Sequence, residues 1–165
     1  MALGTPARRM PIPEDVRDFL GGLLGKAVSV SKQPVSDLGA IDLTDEKWVT
    51  GLYVNKKDLL IGACIAELTL AANAGAALAM ISQQVAKEAA ESGKLGENLR
   101  DNFYEVVDIV SALLNGPSVP HLRLTELVDG IPDEVIELSR CANGNKRYGV
   151  TIVGYQGGTL GLIGL

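Results

Sequence analysis

From Leu99 to Leu114 the apolar side chains Leu99, Phe103, Val106, Val107, Val110, Leu113 and Leu114 recur at helical intervals. That is the period of a helix burying one face, and it predicts an amphipathic helix over about 97–115. At about 100° per residue, Asp101, Glu105 and Asp108 fall together on the side opposite the apolar stripe. Asn115-Gly116-Pro117 then supplies the stop signals of a helix C-terminus.

The rest of the pattern reads as one short helix and a set of strands. Pro13, Glu14 and Asp15 suit a helix N-terminus; Val16, Phe19, Leu20, Leu23 and Leu24 give an apolar face, and Gly25 stops it. Residues 27–31 alternate as a strand, 34–45 form a polar connection, and 48–54 and 59–65 flank the turn Asn55-Lys56-Lys57-Asp58 as a hairpin. Residues 119–128 and 135–140 predict further strands. Asn143-Gly144 reads as a hairpin turn, and 148–155 and 159–165 as the last two strands, joined at Gln156-Gly157-Gly158.

The apolar run from Leu59 to Ile81 is long enough to span a bilayer. Glu67 and Asn73 interrupt it, and a charge near a membrane-helix centre costs roughly 2.5–3.5 kcal/mol. A strand ending near Ile65, followed by a buried Ala-rich helix over about 67–91 and closed by Ser92-Gly93-Lys94, fits the composition better. The predicted fold is α+β: an antiparallel-rich sheet packed by two long helices, about 67–91 and 97–115, and a short N-terminal helix. Residues 1–12 are expected to be a flexible tail containing Arg8-Arg9, and 13–165 a single domain.

Composition narrows the chemistry. Twenty acidic against fifteen basic residues give a net charge of −5, and no segment gathers enough Lys and Arg for nucleic-acid binding by counterion release. Cys64 and Cys141 have no CxxC spacing and the chain has a single histidine, His121, so neither a metal site nor a cofactor is expected. Two thiols fit a reducing cytoplasm, with a disulfide between them left open. Residues 1–13 lack the apolar run of a signal peptide. The glycines of GYQGGTLGLIG are followed by no helix and no Lys in a GK[ST] context, which makes them turns and close strand packing rather than a phosphate loop. His121 reads as a structural or surface histidine. Trp48 and Tyr53 read as core or sheet-face residues. The three carboxylates at 101, 105 and 108 suit a solvated face, a weak cation site, or a surface that meets a basic group on a partner.

The order of elements, the hairpin WVTGLYVNKKDLLIGACI, and the following Ala-rich helix with AALAMI resemble the CheC/CheX/FliY family of chemotaxis phosphatases. Their signature is Asp or Ser, three residues, Glu, two residues, Asn, and a Pro about twenty-two residues later. Asp101 and Glu105 match its first two positions, Asp108 stands where the family has Asn, and 23 residues separate Asp108 from Pro132. The resemblance implies a cytoplasmic protein that docks this helix on the receiver domain of a response regulator, with Asp101 and Glu105 as partner-binding residues and Glu105 and Asp108 as the catalytic residues of an aspartyl-phosphate phosphatase activity. Glu105 would pair with a receiver lysine. The third position, Asp108, would position the water that attacks an aspartyl-phosphate. An ionised carboxylate has no proton to donate, and it adds like charge to a site already holding acidic groups and phosphate. Asn98 and Asn102 lie off the stripe. The alternative is a non-catalytic interaction module of the same fold, or a small-ligand domain with the 67–91 helix as pocket wall. The family often dimerises edge to edge, and the uncharged strand 159–165 predicts an unprotected edge and a homodimer.

Overall fold

The computed structural model describes residues 8–40 and 47–165. In chain order the elements are α1 (Pro13–Leu24), β1 (Val28–Gln33), β2 (Trp48–Val54), β3 (Leu60–Glu67), α2 (Leu68–Leu78), α3 (Gln83–Ser92), α4 (Glu97–Val110), β4 (Arg123–Asp129), α5 (Asp133–Cys141), β5 (Gly144–Ile152) and β6 (Gly158–Gly164). The strands form one sheet in the order β1-β5-β6-β3-β2-β4, antiparallel at every pairing. The fold class is α+β, as the pattern predicts.

Local chemistry sets the ends of the first elements. Pro13 opens α1, the Asp15 carboxylate accepts the Ile12 N–H at 3.2 Å, and Gly25 closes the helix at φ 63°, a left-handed conformation that glycine adopts without a Cβ clash. In the β2–β3 turn the Asn55 side chain accepts the N–H groups of Lys57 and Leu59 at 2.9 and 3.1 Å. All seven residues of β2 are buried, because the strand is interior to the sheet and both its faces are covered. One face carries the larger core cluster, in which α1, α2 and α4 bring Leu20, Ala74, Phe103 and Val107 onto Tyr53, Cys64 and Val150. The other carries a smaller cluster in which α5 brings Val135 and Leu138 onto Trp48, Leu52 and Ile65.

The structure corrects several expectations. The helix expected over 67–91 is two helices, α2 and α3. The N–H of Ile81 reaches back to Ala76 O at 2.8 Å and that of Met80 to Ala77 O at 3.2 Å. This is a Schellman ending, with Met80 at φ 58° in the place glycine usually takes. The segment 135–140, expected as a strand, lies in α5. Asp133 and Glu134 occupy its first turn and Arg140 its last, each favourable to the helix dipole. Asn143-Gly144 therefore leads from a helix into β5 rather than turning a hairpin. Strand β4 starts at Arg123, four residues later than expected. The helix expected over 97–115 ends as α-helix at Val110 and tightens into a 3₁₀ turn over Ser111–Leu113.

Strand β6 lies between β5 and β3, so 159–165 is not an edge and the reason for expecting a homodimer falls away. The edges are β1 and β4, and β4 is guarded by exposed Arg123, Glu126 and Asp129.

Arg8, expected in a loose tail, is 4% exposed. Its guanidinium donates to the carbonyls of Leu165, Leu114 and Pro120, so the chain is anchored before α1 begins. Residues 1–7 of the expected tail, and 41–46 of the polar connection, lie outside the described residues. Among those described, no helix is long and apolar enough to cross a membrane.

Candidate functional site

Helix α4 is seated by contacts on its inner side and at both ends. Two glycines let it approach closely. A Cβ on Gly51 of β2 would lie 2.5 Å from Val107 Cγ1, and a Cβ on Gly75 of α2 would lie 2.8 Å from Leu99 O. Asn102 Nδ2 donates to Gly75 O at 3.1 Å across the α2–α4 contact. At the helix start, Arg100 donates to Asp129 Oδ1 at 2.9 Å and Leu127 O at 2.6 Å, fixing α4 to β4.

Near its end, the Ser111 N–H turns to Asp108 O and Ile109 O, and the Val107 carbonyl accepts the Tyr53 hydroxyl at 2.6 Å. Beyond the 3₁₀ turn, Arg8 holds Leu114 O. Asn115 exchanges two hydrogen bonds with the backbone of Leu122, at 3.0 and 2.9 Å.

The inner residues Leu99, Phe103, Val106, Val107 and Val110 are buried, as the period predicts. Asp101, Glu105 and Asp108 are exposed together on the outer side. None of the three carboxylates is ion-paired among the described residues. Asn102 is committed to Gly75 O, so it cannot lend its carboxamide to the stripe. Pro132, the last position of the signature, caps α5 on the sheet face away from α4. Its neighbour Ile131 packs with the smaller cluster.

The remaining candidates carry no catalytic arrangement. Both cysteines are free, Cys64 buried and Cys141 exposed. Burial pushes the Cys64 thiol up to about 12, the neighbouring Tyr53 hydroxyl opposing that only in part, so at neutral pH it is not a thiolate nucleophile. The Tyr53 phenol is raised well above its ordinary value by burial, with the Cys64 and Asp108 charges adding to it. His121 is exposed. Among the described residues no three His, Cys, Asp or Glu side chains gather to hold a metal ion. The void that Leu70 and Ala74 of α2 help line measures about 20 Å³, room for a single water and not for a ligand.

Sequence periodicity found the carboxylates but not the groups that seat their helix. Gly51 and Gly75 interrupt apolar runs, and an isolated glycine in such a run signals close backbone approach; that was the available signal. Nothing local marked Arg8 or Tyr53, whose partners lie 106 and 54 residues away in the chain.

No protein-family model matches the chain, and no curated protein matches it in sequence. Among solved structures it is similar to FliY of Thermotoga maritima, with 10% identity over 89% of this chain and 80% of that one and a TM-score of 0.49. It is also similar to the FliM middle domain of H. pylori, with 8% identity over 92% and 84% and a TM-score of 0.46. A third similar structure comes from the CheX-CheY-BeF3-Mg+2 complex of Borrelia burgdorferi, with 12% identity over 88% and 90% and a TM-score of 0.38. Each of the three is a similarity of overall fold.

Proposed function

We propose that this protein docks the outer face of α4 on the receiver domain of a cytoplasmic response regulator, and that Asp108 leaves it a binder rather than a phosphatase. The observation that carries the reading is the placement of Asp101, Glu105 and Asp108. All three are exposed and free of ion pairs among the described residues, on a helix whose inner side and both ends are fixed. The resemblance at positions 101 and 105 is what points to a receiver domain as the partner. Each exposed charge pair adds only about 0.2–1 kcal/mol. A like-signed row on a rigid helix nevertheless selects and orients a basic surface, and Glu105 sits at its middle to meet a receiver lysine.

Hydrolysis of an aspartyl-phosphate needs a water held in line with the bond to be broken. The water oxygen attacks phosphorus, the acyl-phosphate P–O bond breaks, and the aspartate carboxylate and inorganic phosphate leave. A carboxamide at 108 can donate a hydrogen bond toward the phosphoryl group while accepting one from that water. The Asp108 carboxylate only accepts, and it brings a negative charge toward an anion.

Wild type is therefore expected to leave the spontaneous dephosphorylation rate of a phosphorylated receiver unchanged, and Asp108→Asn to raise it about tenfold or more, followed as released phosphate. Glu105→Lys is expected to weaken receiver binding about tenfold in a titration. Undiminished binding by that variant would move the interface away from α4. Acceleration by wild type would make the protein a phosphatase with Asp108 in the catalytic role.

A further inference from the structure

The turn between β2 and β3 and the segment 116–121 leading from α4 to β4 line a common cleft of about 600 Å³. That size is ordinary for a binding site. Lys56, Lys57 and His121 contribute nitrogen to its lining, and Leu59, Pro117 and Val119 contribute carbon. No carboxylate lines it among the described residues, on a chain of net charge −5. Neither lysine is ion-paired among those residues. Asp58, the acid of the same turn, is engaged instead by Arg123.

Both walls are held in place. In the turn, the Asn55 N–H donates to Leu59 O at 2.9 Å and the Asp58 N–H to Asn55 O at 3.0 Å, beside the two bonds that the Asn55 side chain accepts. Opposite, Arg8 holds Pro120 O at 2.7 Å, and the paired bonds of Asn115 and Leu122 brace the ends of the segment. Two uncompensated positive charges therefore stand on a fixed backbone beside an apolar wall, in which Leu59 is 59% exposed.

Sign and shape point to the occupant. Lys56, Lys57, Leu59, Pro117 and His121 are all exposed, so the cleft is an open trough. A small-molecule site encloses about 70–90% of its ligand, which a trough does not. A chain segment laid along it meets both kinds of wall. Its carboxylates reach the lysine ammoniums, His121 donates from a ring nitrogen, and an apolar side chain covers Leu59 and Val119. With the two lysines set aside the remaining charge is more negative still, so the rest of the surface repels such a segment and the trough receives it.

We infer that this trough binds an acidic, apolar segment of a partner protein, with Lys56 and Lys57 as the carboxylate-binding residues. It is a second recognition surface, opposite in sign to the α4 stripe, and it does not rest on the docking of that helix.

The test is an NMR titration of the ¹⁵N-labelled full chain with a capped peptide of alternating Asp and Leu, about eight residues long and so roughly 26 Å when extended. Counterparts carry Asn for Asp or Ser for Leu, and inorganic phosphate is titrated alone. The amides of Lys56, Lys57, Leu59, Val119 and His121 are expected to shift and saturate with the acidic peptide, and both counterparts to bind about tenfold more weakly or worse. The double variant Lys56→Glu/Lys57→Glu is expected to weaken binding about tenfold or more. Lys87→Glu/Lys94→Glu, which makes the same change of net charge on other exposed positions, should bind within about threefold of wild type. Thermal unfolding and sedimentation of each variant run alongside.

Equal weakening by the two double variants reduces the effect to net charge and overturns the proposal. So does equal binding of the Asn counterpart, shifts confined to other residues, or the absence of any saturating shift. The same shifts with phosphate alone assign the trough to a small anion and overturn the segment. A self-associated wild type that Lys56→Glu/Lys57→Glu converts to monomer makes a second copy the occupant and overturns the separate partner.

Discussion

Replacing Arg8 by methionine will lower the folding free energy by about 3–5 kcal/mol, read as a shift in the urea midpoint at unchanged slope. The guanidinium joins the carbonyls of Leu114, Pro120 and Leu165, three segments distant from Arg8 in the chain. Burial lowers its pKa below the usual arginine value. Arginine nevertheless stays charged, and hydrogen bonds from a charged donor contribute about 1.5–3 kcal/mol each. Methionine fills much of the same volume but leaves three acceptors to find water in a closed place. Lysine keeps the charge on a single ammonium in place of a planar fork, so Arg8→Lys should recover only part of the loss. A loss below about 1 kcal/mol for Arg8→Met would mean that water replaces the side chain freely and that this anchor is incidental.

Gly75→Leu should cost roughly 3 kcal/mol and lower Tm by about 6–12 °C. At this crossing the atom facing the new Cβ is a backbone oxygen, Leu99 O, 2.8 Å away. A main-chain atom cannot rotate aside as a side-chain end can, so α4 itself has to move away from α2. The displacement would also break the Asn102 bond to Gly75 O and shift the acidic face. Receiver binding should therefore fall further than the stability loss alone explains, at temperatures where the variant is still folded. Gly75→Ala, with one carbon to place and better helix propensity, should be milder. A Gly75→Leu variant with wild-type Tm would show that α2 and α4 are not locked together.

What the sequence made legible follows from where the information sits. The inner face of α4 was readable because seven apolar residues at helical spacing all meet one core. The outer carboxylates were readable as the complement of that face. The end of α2 was not, since its Schellman bonds run through Met80 rather than glycine and the apolar, Ala-rich surroundings show no change of face. Ser82 before the polar stretch Gln83–Ser92 was the one residue of N-cap type. Val135-Ile136 suggested a strand by β-branching, whereas Pro132-Asp133-Glu134 carried the stronger helix-start signal. The place of β6 inside the sheet was not readable from its own residues, because an uncharged strand suits an interior position as well as an unguarded edge. Strand order depends on pairings distant in sequence, and so does the anchoring of Arg8.

Trp48 is the chain's single tryptophan. It lies with Leu52, Ile65, Val135 and Leu138 in the cluster on the sheet face away from α4, its indole Nε1–H buried without a hydrogen-bond partner among the described residues. The molecule therefore carries a buried intrinsic fluorophore that is sensitive to unfolding and separated by the sheet from the exposed side of α4. Its emission will follow the loss of the fold and stay silent when the acidic face is occupied, so folding and docking can be monitored separately in one unlabelled sample.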